Sequence, residues 1–81
     1  MRRIFVGDAA CGQKLIRYYL LEQDTDGPVC YGIQVECDRE RAVIPQITPS
    51  QVAVLALADQ LVRGGVTPAT ARDMVEDWLL T

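Results

Sequence analysis

Histidine is absent from all 81 residues. That removes the commonest general base and the commonest neutral metal ligand. Ser-His-Asp and Cys-His nucleophilic arrangements go with it. No GxxxxGK[ST] or GxGxxG motif occurs, and Gly64-Gly65 is too short to cradle a phosphate. No apolar run approaches the length of a membrane span. Lys and Arg number 8 against 11 Asp and Glu, a formal charge of −3. General phosphate affinity comes from basic side chains, so nucleic acid is an unfavoured partner.

Cysteine is scarce and oddly numbered. Cys11, Cys30 and Cys37 form no CxxC. On one strand Cys30 and Cys37 stand roughly 23 Å apart, at about 3.3 Å per residue. A disulfide needs Cα atoms within about 7 Å. The three read as reduced thiols filling apolar space, with a metal or redox role as the alternative. Arg2-Arg3 and Ala9-Ala10-Cys11 faintly suggest a leader. Only Ile4, Phe5 and Val6 separate the charges from Gly7-Asp8, however, whereas a leader needs about 7–15 apolar residues there. The expectation is a cytoplasmic chain with no membrane segment, no cofactor, no metal and no catalytic residue.

Apolar residues make up 49% of the chain, which argues for a folded core rather than disorder. At this length the expectation is one domain over residues 1–81. From Cys30 to Cys37 the pattern alternates strictly. Tyr31, Ile33, Val35 and Cys37 take one face; Cys30, Gly32, Gln34 and Glu36 take the other. Leu15–Glu22 is also strand-like. Between them Asp24-Thr25-Asp26-Gly27-Pro28 carries Asp-Gly, a hairpin signal. A turn centred on Asp26-Gly27 sets Leu20 opposite Ile33, Tyr18 opposite Val35, Ile16 opposite Cys37 and Arg17 opposite Glu36. Asp38–Arg41 reads as a second turn and Arg41–Ile47 as a third strand. Pro45 cannot donate to a ladder, so that strand belongs at an edge or ends there. Arg3–Val6 is a candidate fourth strand, with Gly7–Gln13 as its connecting loop.

Two helices follow. Thr48 reads as an N-cap, Pro49 as the first helical position and Gln51 as the far side of a capping box. Val54, Leu55, Leu57, Ala58, Leu61 and Val62 form an apolar arc, and Gly64 ends the helix. Thr67-Pro68 repeats the start signal before the stripe Ala71, Met74, Val75, Trp78 and Leu79. Arg72 and Glu76 are spaced as an i,i+4 pair. Trp78 and Met74 are assigned to packing.

A two-helix unit joined by Gly-Gly has the outline of a helix-turn-helix. The outward residues of the second helix, however, are Thr70, Arg72, Asp73, Glu76 and Asp77, mostly repulsive to phosphate. Asp73, Glu76 and Asp77 read as a solvated face, or as an acidic docking patch. Leu15, Tyr19 and Leu21 lie on the sheet face that a single two-helix unit leaves uncovered. That face is covered in part by the N-terminal segment or by another molecule, or else carries a few scattered exposed apolar groups as monomers commonly do.

The hairpin segments Tyr18-Tyr19-Leu20-Leu21-Glu22 and Tyr31-Gly32-Ile33-Gln34-Val35-Glu36, followed by a capped helical pair ending Val75-Glu76-Asp77, resemble a family of short Gram-positive bacterial proteins known only as a domain of unknown function. The resemblance covers roughly residues 15–81, and Met1–Gln13 has no placed counterpart. It implies a bacterial cytoplasmic origin and a β-meander followed by helices, and transfers no catalytic residue.

The expected fold is therefore α+β. An antiparallel β-meander of three or four strands spans about residues 3–47, and a C-terminal helical hairpin, 48–80, packs on one face. The expected function is a non-enzymatic protein–protein interaction module, with another protein or a second copy of itself as partner. Its candidate partner surface is Leu15, Tyr19, Leu21, Asp73, Glu76 and Asp77. A nucleic-acid-binding regulator and a small inhibitor of a host enzyme are the alternatives.

Overall fold

The computed structural model describes residues 1–24 and 27–80. Four strands, β1 (Arg2–Cys11), β2 (Lys14–Gln23), β3 (Cys30–Cys37) and β4 (Glu40–Thr48), precede helices α1 (Gln51–Gly64) and α2 (Pro68–Leu79). The strands form one antiparallel meander in the order β1-β2-β3-β4. Both helices lie on the same face of it.

The β2–β3 register is the one the alternation predicts. Ile16 faces Cys37, Tyr18 faces Val35, Leu20 faces Ile33 and Arg17 faces Glu36. The turn residue Asp26 itself lies outside the described residues. β3 and β4 turn on Asp38-Arg39, where Asp38 takes a left-handed φ of 54°. β4 is an edge strand, as Pro45 requires.

β1 corrects the expectation of a short strand and a loop over Gly7–Gln13. It continues to Cys11, and the chain reverses through Gly12 at φ 63°. The small residues that look like loop serve packing instead. A Cβ on Gly7 would lie 3.2 Å from a Val62 methyl of α1, and Ala9 packs against the core. Glycine and alanine let the helix approach the sheet here. A one-residue bulge between Phe5 and Gly7 re-aims the start of the strand.

The helix starts and stops also shift. Thr48 is the last residue of β4, in register with Tyr31, so its backbone is already engaged. Ser50 caps α1 instead, its Oγ accepting the Ala53 N–H at 3.2 Å. Thr48 Oγ1 accepts the Ser50 N–H, and Pro49 precedes the helix. At the other end Gly65, not Gly64, is left-handed, with φ 58°. The Val66 N–H returns to the Leu61 carbonyl at 3.1 Å, closing a Schellman turn. α2 begins as expected, with Thr67 as N-cap and Pro68 in the first turn.

The core lies between sheet and helices. Ile16, Tyr18 and Leu20 of β2, Ile33 and Val35 of β3, and Ile44 of β4 meet Val54, Leu57, Ala58 and Leu61 of α1 and Ala71 and Val75 of α2. Tyr31 packs against the same cluster, half-buried. The helical stripes are narrower than the sequence suggests. Leu55, Met74 and Leu79 are exposed, and Trp78 packs at the core's margin. A helix on a sheet buries only the residues within one strip along its axis, and Leu55 and Met74 lie just beyond it.

Tyr18 joins the layers. Its ring is fully buried on a central strand, and its hydroxyl donates to the Val66 carbonyl in the interhelical turn at 2.8 Å. Burial, with smaller contributions from Cys11 and Cys37, raises its pKa from the ordinary 10 to about 12. The raised value means that the folded state favours the protonated phenol. The resulting stability is fully present below pH 10 and is lost as pH climbs through 12.

At Gly32 the close approach is between backbones. A Cβ there would run into the Ile44 carbonyl oxygen and sit 2.7 Å from Pro45 Cα. β4 bends onto this point through a register shift, with Gln46 at φ 55°. Gly32→Ala is expected to cost about 1–3 kcal/mol in urea unfolding; a change within error would remove the close approach. Tyr18→Phe removes the donor to Val66 and is expected to cost about 1–3 kcal/mol near neutral pH. That gap from wild type should shrink as pH climbs from 10 through 12. Parallel stability curves for the two proteins would contradict the raised phenol.

Candidate functional site

Opposite the helices the sheet presents an outer face built in rows. Residues paired across strands share a face, and rows on one face are about 7 Å apart. One row runs Phe5, Tyr19, Gln34, Val43 from β1 to β4; the next runs Asp8, Arg17, Glu36, Arg41. The first is mostly apolar and the second alternates in charge.

The centre of this face is braced by one arginine. The Arg3 guanidinium carbon lies 4.5 Å from the Tyr19 ring centroid, and Arg3 reaches Glu36 at 3.1 Å. The Phe5 and Tyr19 rings meet edge to face at 5.7 Å. Gln34, buried between strands, donates from Nε2 to the same Glu36 oxygen. The expected Arg17–Glu36 pair is thus in register without being an ion pair. Arg3 and Gln34 reach the carboxylate first.

The expected partner residues divide. Leu15 is 47% exposed on the outer face, and Tyr19 is half-buried there beneath Arg3. Leu21 is only 2% exposed, in register with Gly32 where β4 bends over, and so it is no part of an accessible surface. Asp73, Glu76 and Asp77 are exposed on α2, in the other layer of the molecule. The structure therefore separates them from Leu15 and Tyr19. Arg72 donates to the Val43 carbonyl at 3.4 Å rather than pairing with Glu76.

Phe5, 53% exposed, and Val43 complete the outer apolar row. Neither was identifiable from the sequence alone. The bulge after Phe5 breaks the alternation that would have fixed its side, and Val43 needs the β3–β4 register. Three further ion pairs join described residues: Arg2–Glu22, Lys14–Asp38 and Arg63–Asp59. The hydrogen bond and charge of Asp38 raise the Lys14 pKa. Among the described residues no group of three or more His, Cys, Asp or Glu converges as metal ligands, and all three cysteines are free thiols. No helix among them is long and apolar enough to cross a membrane.

These features define a small α+β protein with one sheet face sealed by helices and the other bare. The chain belongs to the family of unknown function DUF6514, whose model matches residues 6–81. The match includes most of β1, a segment for which the sequence resemblance placed no counterpart. No curated protein and no solved structure matches the chain.

The Arg3–Tyr19 stack should be measurable as a coupling. In a double-mutant cycle of Arg3→Ala with Tyr19→Leu, thermal or urea unfolding is expected to give about 0.5–1 kcal/mol. A coupling of zero would show that the guanidinium does not rest on the ring in solution.

Proposed function

We propose that the chain is a non-enzymatic protein–protein interaction module that binds through the outer face of its sheet. The observation that supports this is the bare face itself. Both helices pack on the inner side, while on the outer side Phe5 and Val43 remain exposed in the row of Tyr19 and Leu15 is exposed beyond the charged row. Apolar residues gathered on one side and flanked by charges are the usual composition of a binding surface. The lack of histidine and the scatter of the carboxylates favour binding over catalysis. The reading carries a bacterial, cytoplasmic setting with it, as the family resemblance implies.

Asp73, Glu76 and Asp77 belong to a separate, acidic surface of α2 and are secondary in this reading. With Arg72 turned to β4, the exposed side of that helix offers nucleic acid little attraction.

The test compares the tagged chain with its Phe5→Glu/Val43→Glu variant as bait, after circular dichroism confirms equal folding. The expected outcome is a partner, or a second copy, retained by the wild type and lost by the variant. Equal retention by both baits moves the binding surface elsewhere. A wild type that neither retains a partner nor self-associates overturns the proposal.

A further inference from the structure

We propose that the occupant of the outer face is a second copy of the same chain, docked about a two-fold axis running parallel to the strands. This rests on the outer face being a binding surface, and it names the partner and the geometry.

The charged row sets the geometry. From β1 to β4 it reads Asp8, Arg17, Glu36, Arg41: minus, plus, minus, plus. Read from the other end it is the same row with every sign reversed. Two sheets placed face to face about an axis along the strands keep each row at its own level and reverse the strand order. Asp8 then lies over the partner's Arg41, and Arg17 over the partner's Glu36. By symmetry Glu36 meets the partner's Arg17, and Arg41 the partner's Asp8. All four contacts join opposite charges, as a two-fold interface requires of a self-complementary patch.

The other two-fold arrangement fails on the same residues. An axis across the strands sets each strand on its own copy. If it passes through the charged row, Asp8 meets the partner's Asp8 and Arg17 the partner's Arg17. If it passes between rows, charges lie on the apolar row. Like charges opposed or left unpaired disfavour both.

A second observation agrees. Asp8, Arg17 and Arg41 are exposed and, among the described residues, make no ion pair or side-chain hydrogen bond within the chain. Three of the four charges in the row are therefore available to another molecule. The neighbouring row supplies the apolar contact, setting the exposed Phe5 over the partner's Val43 and, by symmetry, Val43 over the partner's Phe5. Four strands at about 4.8 Å, overlapping over roughly 25–30 Å, offer on the order of 500–600 Å² per copy. That is the low end for a specific interface, and it makes the dimer sensitive to its charges and to salt.

The experiment is a charge swap read by sedimentation velocity on the full chain. Wild type is expected to dimerise, more weakly as salt rises. Asp8→Arg and Arg41→Asp, taken singly, each oppose like charges at two symmetric places and should raise the dimer dissociation constant by about tenfold or more. The double variant Asp8→Arg/Arg41→Asp restores opposite signs and should return to within about threefold of wild type. Circular dichroism on all four checks that folding is unchanged. A wild type that stays monomeric at its solubility limit overturns the inference, and the bait experiment then still decides whether the face binds another protein. A dimer indifferent to the single changes, or one not recovered by the double, overturns the geometry while leaving self-association standing.

Discussion

Two helices can cover a four-stranded sheet once. α1, 14 residues and about 21 Å long, reaches all four strands, and α2 packs on β3 and β4. Both helices lie on the face bearing Ile16, Tyr18, Leu20, Ile33 and Val35, and every other feature of the molecule answers to that choice. The inner face is apolar and closely packed. The outer face must be tolerable in water or in contact with another molecule, and its composition shows both pressures.

The sealed side is held by shape as much as by area. Gly7 and Ala9 let α1 approach β1, and the Schellman turn at Gly65 aims the chain into α2. Tyr18 crosses the layer and fixes that turn through the Val66 carbonyl. A buried hydroxyl without a partner is costly, so this bond selects one placement of the helical hairpin over its neighbours. α2 is held more lightly. Pro68, Ala71 and Val75 are its buried residues, and Trp78 only edges into the core. That light hold explains why so much of its expected apolar stripe stands in solvent.

What was legible in the sequence follows from how local the deciding physics is. The β2–β3 register could be read because strict alternation and one Asp-Gly signal agree, and both lie within 22 residues. β1 could not, because Gly7, Ala9 and Ala10 have the composition of a loop. Only the presence of Val62 across the layer shows why small residues belong in that strand. The cap moved from Thr48 to Ser50 for a similar reason. Thr48 is a sound cap in isolation, but pairing with Tyr31 holds it in the sheet. Leu21 belongs by parity to the open face, yet it is buried beside Gly32, the point where β4 closes onto β3. In each case a contact distant in sequence outweighed a good local preference.

The alternating row on the outer face has an ordinary explanation that must be weighed against the intermolecular one. Opposite charges on neighbouring strands stabilise a sheet within one molecule. If that were its use here, Arg17 would pair with Glu36, its partner in register. It does not; Glu36 is claimed diagonally by Arg3 and from beside by Gln34. Arg3 also rests on Tyr19, so the diagonal contact covers an aromatic ring as well as neutralising the carboxylate. The in-register charges are thereby left facing outward. An alternation that the monomer sets up and then leaves without a partner at Asp8, Arg17 and Arg41 has its simplest use where each sign can meet its opposite on an inverted copy of the same row.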